Sequence, residues 1–126
     1  MKETDQEPRI LVVEDEVLLR WFMRDILEDA GFNVEEADNA ERAIGMLEDE
    51  KYEAVVTDIE MPGELNGVDL AWAVEVNWPH TGVILTSGKT LPPPETIPGR
   101  AKFLAKPLQV DSLVRAVEDA VAGSAS

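Results

Sequence analysis

Ala54-Val55-Val56-Thr57-Asp58, followed by Ile59-Glu60-Met61-Pro62-Gly63, is the stretch whose reading decides the fold. Three of the four residues before Asp58 are β-branched, which suits a buried strand. Pro62 lacks an N–H and Gly63 favours a turn, so a regular strand cannot continue past the aspartate. Asp58 is therefore expected at the C-terminal tip of a buried strand, where open α/β sheets bind ligands. A carboxylate at such a tip is either a turn or cap residue or a reactive, metal-binding group. The rest of the chain has to decide between these.

Upstream, Arg9-Ile10-Leu11-Val12-Val13 is another continuous apolar run, the mark of a strand buried on both faces. It stops at three consecutive carboxylates, Glu14-Asp15-Glu16. A helix is predicted from Val17 to about Ala30, with Leu19, Phe22, Met23, Ile26, Leu27 and Ala30 inward and Gly31 ending it. Val17, Leu18 and Trp21 form a second, adjacent stripe. Phe32 to Ala37 reads as a short edge strand. Asp38-Asn39-Ala40-Glu41 has capping-box spacing and opens a helix through about Asp49.

Downstream of Asp58, a loop runs to Asn66. A helix apolar almost all round follows over about Val68–Asn77, stopped by Trp78-Pro79. Gly82 to Thr86 is a fourth buried strand, ending at Ser87-Gly88. A fourth helix is due next by alternation, but four prolines fall within positions 92–98. They remove N–H donors and clash with the preceding turn, so an irregular or polyproline-like loop is expected over 89–99, with at most one turn near Pro94–Ile97. Lys102-Phe103-Leu104-Ala105 is a fifth strand, followed by Lys106-Pro107. Asp111 is expected to cap a last helix to about Ala122, with Val110, Leu113, Val114, Val117 and Val121 inward. Residues 1–7 and 123–126 read as frayed ends around one domain.

Strands alternating with helices predict an α/β, flavodoxin-like doubly wound sheet of five parallel strands in the order 2-1-3-4-5. Its tips carry Glu14 and Asp15, Asp38, Asp58, Ser87 and Lys106. The first and third tips are neighbours at the switch point of that order. Three carboxylates brought together there repel and resist ionisation unless a cation joins them, and Mg²⁺ is the hard cation of choice. Lys106 and the Ser87 hydroxyl suit phosphoryl oxygens. An aspartate beside Mg²⁺, a lysine and a hydroxyl is equipped to accept a phosphoryl group as an acyl phosphate.

Four motifs, Val-Val-Glu-Asp-Glu (12–16), Thr-Asp-Ile-Glu-Met-Pro (57–62), Leu-Thr-Ser-Gly (85–88) and Ala-Lys-Pro-Leu (105–108), together resemble the receiver domain of two-component response regulators over about residues 8–122. The resemblance implies that Asp58 is the phospho-acceptor and that Asp15 and Glu14 ligate Mg²⁺, with Asp58 and the Glu60 main-chain carbonyl completing the protein ligands. It also implies that Lys106 pairs with phosphoryl oxygens, that Ser87 is the switch hydroxyl and that Phe103 is the aromatic switch position. By the same resemblance, Glu60 and Lys89 fall at family positions that flank the phosphoryl site and tune its lifetime. Glu14 stands where the family commonly has aspartate. The loop after Asp58 is longer by about one residue, and the proline segment replaces most of the fourth helix of the family.

The chain of 126 residues carries a net charge of −15 and no cysteine. That acidity argues against nucleic acid and anionic membranes as direct partners. No apolar run reaches the roughly 18 residues a membrane helix needs. A cytoplasmic, single-domain regulator is expected, a monomer or weak dimer without enzymatic turnover beyond its own phosphorylation and dephosphorylation. Its partners would be a histidine kinase or histidine phosphotransfer protein, docking on Val17, Leu18 and Trp21, and a protein that reads the output or none if the chain drains phosphate. The alternatives are a small Asp-nucleophile phosphohydrolase, which would want a second aspartate where Glu60 stands, and a phosphorylation-independent binding module.

Overall fold

The computed structural model describes residues 7–89 and 91–125. Of the ends expected to be frayed, residues 1–6 of 1–7 and Ser126 lie outside them, as does Thr90 of the expected 89–99 loop. Five strands are present: β1 (Arg9–Val13), β2 (Asn33–Ala37), β3 (Ala54–Asp58), β4 (Gly82–Ser87) and β5 (Lys102–Ala105). Four helices alternate with them: α1 (Val17–Asp29), α2 (Ala40–Asp49), α3 (Gly67–Asn77) and α4 (Val110–Ala125). The strands form one parallel sheet in the order β2-β1-β3-β4-β5.

The sheet buries both faces, which is why its central strands are apolar without alternation. One face carries Leu11, Val55, Val83 and Leu85 against Ala43 and Leu47 of α2 and Leu70, Ala71 and Val74 of α3. The other carries Ile10, Val12, Val56 and Ile84 against Met23 and Leu27 of α1 and Leu113, Ala116 and Val117 of α4. Among the described residues no helix is long and apolar enough to cross a membrane.

Several helix details depart from the sequence reading. Phe22 is 45% exposed on α1 rather than inward, because the true stripe is narrow and centres on Met23 and Leu27. Ala30 is likewise exposed, as the residue that follows the helix. Asn39, not Asp38, caps α2 by accepting from the Arg42 N–H at 2.7 Å. Glu41 is thereby free to accept from the Glu64 N–H in the loop after β3. The last helix begins one residue before Asp111, leaves Val110 exposed on its first turn and runs on to Ala125.

Among the described residues between β4 and β5 there is no α-helix. A single 3-10 turn spans Pro94–Thr96, entered from Pro93 in a polyproline-like conformation (φ −54°, ψ 137°). This segment is tied to α3. The Trp72 indole donates to the Thr96 carbonyl at 2.9 Å, and Arg100 pairs with Glu75 at 2.8 Å. Ile97, partly buried, packs against the hydrophobic cluster on the α2–α3 face of the sheet.

The entry to α3 explains how β3 is held. Asn66 and Asp69 form a reciprocal capping box, with the Asn66 side chain accepting from Asp69 N at 3.0 Å and Asp69 accepting from Asn66 N at 2.9 Å. This sets Gly67 directly beneath the strand tip. A Cβ on Gly67 would stand 2.1 Å from the Asp58 carbonyl oxygen. Gly67→Ala is therefore expected to destabilise the protein by at least about 2 kcal/mol through forced backbone displacement. Urea unfolding checks this, and a loss below about 0.5 kcal/mol, the scale of an ordinary surface change, would contradict the close packing.

Candidate functional site

The site is assembled by strand ends. β1 and β3 pair in register from Ile10↔Ala54 to Val13↔Thr57, so the residues that follow, Glu14 and Asp58, emerge side by side. The ladders continue one step past the strands: Glu14 N donates to the Ala37 carbonyl, Ile59 N to the Thr86 carbonyl and Lys106 N to the Ser87 carbonyl, at 2.8–3.0 Å. These bonds fix the backbone of the tips on neighbouring strands, so the side chains they carry are placed by the sheet itself.

Glu14, Asp15 and Asp58 each offer a carboxylate oxygen within 4.8 Å of the others. Glu14 is almost completely buried, Asp58 nearly so, and Asp15 is exposed. Lys106 reaches over from the end of β5. Its Nζ lies 3.2 Å from Asp58 Oδ2 and 3.3 Å from Glu14 Oε1. The other Glu14 oxygen accepts from the Glu16 N–H at 3.1 Å. The remaining Asp58 oxygen, Oδ1, is buried and has no hydrogen-bond partner.

Burial pushes the Glu14 carboxyl above the usual carboxylate range; the nearby Asp58 adds to this and Lys106 opposes it. Asp58 is raised for the same reason, again against the pull of Lys106. For Lys106 burial works the other way, but the two carboxylates outweigh it and its ammonium is held above the ordinary lysine value. One lysine thus serves two buried carboxylates, and negative charge remains in excess. An unpartnered buried oxygen among three convergent carboxylates is a donor set that fits a hard divalent cation.

Ser87 is fully buried at the end of β4. Its hydroxyl donates to the Glu60 carboxylate, at 2.7 Å to Oε2 and 3.0 Å to Oε1, and accepts from the Lys89 N–H at 2.9 Å. The Lys89 side chain is exposed. Phe103 is half-buried on β5 and packs against the core on the α2–α3 face. Asp38, the other acidic tip, follows the edge strand β2, is exposed and is not among the three converging carboxylates. Val17, Leu18 and Trp21 are 40%, 69% and 45% exposed on the first turns of α1 beside the carboxylates, and Phe22 extends that apolar surface. Arg24 lies over the Trp21 ring at 5.8 Å.

Two contributors were not singled out from sequence. Arg20 of α1 donates to the Glu14 carbonyl at 2.8 Å and pairs with Glu36 of β2 at 2.9 Å, pinning the loop that carries the acidic pair. Its position one turn after Glu16 was the only sequence signal. Thr86 is fully buried beside Asp58 in register, with a hydroxyl that has no partner.

Comparison with known proteins identifies the family and the fold. The family model described as response regulator receiver domain matches residues 10–118. The chain is 36% identical over 114 residues to the response regulator receiver protein CpdR of Brucella abortus, covering 87% of this chain and 93% of that one. It is 34% identical over 113 residues to the chemotaxis protein CheY of Thermotoga maritima, covering 86% and 93%. Among solved structures, a response regulator receiver protein from Sinorhizobium medicae superposes with a TM-score of 0.86 at 27% identity, covering 94% of this chain and 98% of that one. A CheY-like receiver domain protein from Methanospirillum hungatei gives the same TM-score at 22% identity, over 95% and 98%. With the motif-bearing residues gathered on one edge of the expected fold, and with relatives of matching length, the chain belongs to the response regulator receiver domain family.

Proposed function

We propose that this protein accepts a phosphoryl group on Asp58 from a histidine kinase or histidine phosphotransfer protein, and that the resulting acyl phosphate switches its conformation. The observation that carries this reading is the asymmetry of Asp58: Oδ2 is held by Lys106, while Oδ1 stands buried and unpartnered among the carboxylates of Glu14 and Asp15. A carboxylate so placed is oriented and partly stripped of water, the state in which it is most nucleophilic.

In the transfer, an Asp58 oxygen forms a bond to phosphorus as the phosphorus–nitrogen bond to the donor histidine breaks, and the imidazole leaves. Lys106 offsets charge on the transferring oxygens, and its ion pair with Asp58 keeps the acceptor fixed until the donor arrives. Glu14, Asp15, Asp58 and the main-chain carbonyl of Glu60 would hold Mg²⁺, which supplies charge neutralisation for the phosphoryl oxygens. Ser87 and Phe103 are the residues that read the modification, with Glu60 and Lys89 at the rim tuning how long it lasts. A cytoplasmic setting, with its ready supply of Mg²⁺ and of kinase cytoplasmic domains, fits this chemistry.

The exposed apolar patch of Val17, Leu18 and Trp21, extended by Phe22, is the docking face for the donor protein. It has the form of an apolar centre with charged neighbours, Arg24 and Asp25 among them, that suits a helical partner. Output as a signal to a partner protein and output as a drain for phosphate both remain compatible with the site.

Incubation with Mg²⁺ and acetyl phosphate, read by intact-protein mass, tests the acceptor. Wild type gains one phosphate and Asp58→Asn gains none; turnover of small phosphoesters without a stable adduct would instead favour a phosphohydrolase. Trp21→Ala is expected to slow transfer from the cognate phosphohistidine donor by about tenfold or more, the effect of removing an interface aromatic. Its reaction with acetyl phosphate should be unchanged. Equal slowing with both donors would place Trp21 in the structural support of the site rather than in docking.

A further inference from the structure

The Ser87 hydroxyl is already committed. It is fully buried, it gives its hydrogen to the Glu60 carboxylate and it takes one from the Lys89 N–H. A serine hydroxyl has a single hydrogen to donate. While Glu60 holds that hydrogen, none is available to a phosphoryl oxygen on Asp58. The acceptor is a charged one, and hydrogen bonds to carboxylates are roughly twice as strong as neutral ones.

We propose that Glu60 is a positioning residue that acts through Ser87: it latches the switch hydroxyl in the unphosphorylated chain and must release it when Asp58 is modified. This deepens the phospho-acceptor reading above and rests on it. Two effects open the latch together. The phosphoryl group competes for the hydroxyl hydrogen, and its negative charge repels the Glu60 carboxylate two residues along the chain. Glu60 is only half-buried, so it has solvent to turn into.

The latch is also joined to the segment that replaces the fourth helix. The Lys89 N–H bonded to the Ser87 oxygen belongs to the residue that starts the path into the proline segment, whose far end α3 holds through Trp72 and Thr96. A hydroxyl that turns towards Asp58 gives up or redirects this bond. Release by Glu60 therefore loosens the proline segment at its first anchor while the second stays in place. In a two-state switch, an interaction present only in the resting state lowers the apparent affinity for whatever stabilises the other state.

Beryllofluoride, a mimic of the bound phosphoryl group, tests this at saturating Mg²⁺ with the intact chain, its affinity read by calorimetry. E60A removes the latch and should bind beryllofluoride about tenfold more tightly than wild type, the scale of one hydrogen bond to a charged group. E60Q keeps an acceptor oxygen without the charge and should fall between the two. S87A should bind more weakly, and adding E60A to it should gain clearly less affinity than E60A gains in wild type, because only relief of the charge repulsion is then left. The same gain from E60A in both backgrounds would overturn the inference, leaving Glu60 as a repelling charge only, and so would E60A binding no tighter than wild type. Failure of wild type to bind beryllofluoride at millimolar concentration would sink the phospho-acceptor reading itself and the latch with it.

Discussion

The site depends on one shared cation. Lys106 extends from the last strand to lie 3.2 Å from Asp58 and 3.3 Å from Glu14, with side-chain exposures of 22%, 5% and 1% for the lysine, the aspartate and the glutamate. Two carboxylates this deeply buried strongly disfavour ionisation, and removing the partner of a buried charge is far more damaging than never having had the pair. The lysine makes the cluster tolerable without neutralising it, since Asp15 adds a third carboxylate and one Asp58 oxygen stays unpartnered. A site left acidic in this way has the donor set of a hard divalent cation. Lys106 is itself placed by the parallel register of β4 with β5 and by the bond from Lys106 N to the Ser87 carbonyl.

Strand order and the convergence of Glu14, Asp15, Asp58 and Lys106 were legible in the sequence because both follow from simple patterns. Unbroken apolar runs ending in polar tips specify a doubly covered parallel sheet, and the switch point of that sheet brings the first and third tips together. The proline segment was equally plain, since four prolines forbid a helix whatever surrounds them. Details that depend on side-chain reach were not legible. Phe22 satisfies the helical period yet faces solvent, because the width of a buried stripe is set by neighbouring elements and not by the period. Asp38 and Asn39 are both good caps, and one residue of backbone geometry decides between them. Glu60 was placed at the rim of the site, but its bond to Ser87 depends on where two loops settle. Arg20 carried no motif at all; its role comes from the path of α1 past the Glu14 carbonyl.

The replacement of the fourth helix changes how the fold distributes order near the site. A helix after β4 would satisfy its own backbone. The proline segment instead borrows its anchors, the Trp72 indole at Thr96, the Arg100 pairs with Glu75 and the Thr81 carbonyl, and the Lys89 N–H at Ser87. Helix α3 accordingly carries apolar residues around most of its surface, with Trp72 and Val76 left exposed beside the segment. Among the described residues, the segment after Ser87 is thus joined to the rest of the fold by a few separate bonds besides its own turn.

The shared-cation account is tested most directly by the thermal stability of Lys106→Met with and without saturating Mg²⁺ at neutral pH. Without Mg²⁺ the variant should be less stable than wild type by about 2 kcal/mol, below the full penalty for a buried pair because Lys106 is partly exposed. Mg²⁺ should then stabilise the variant more than it stabilises wild type, because it takes over neutralisation that Lys106 otherwise provides. An unchanged stability in the absence of Mg²⁺, or an equal increment from Mg²⁺ in the two chains, would contradict the claim that Lys106 holds the carboxylates together.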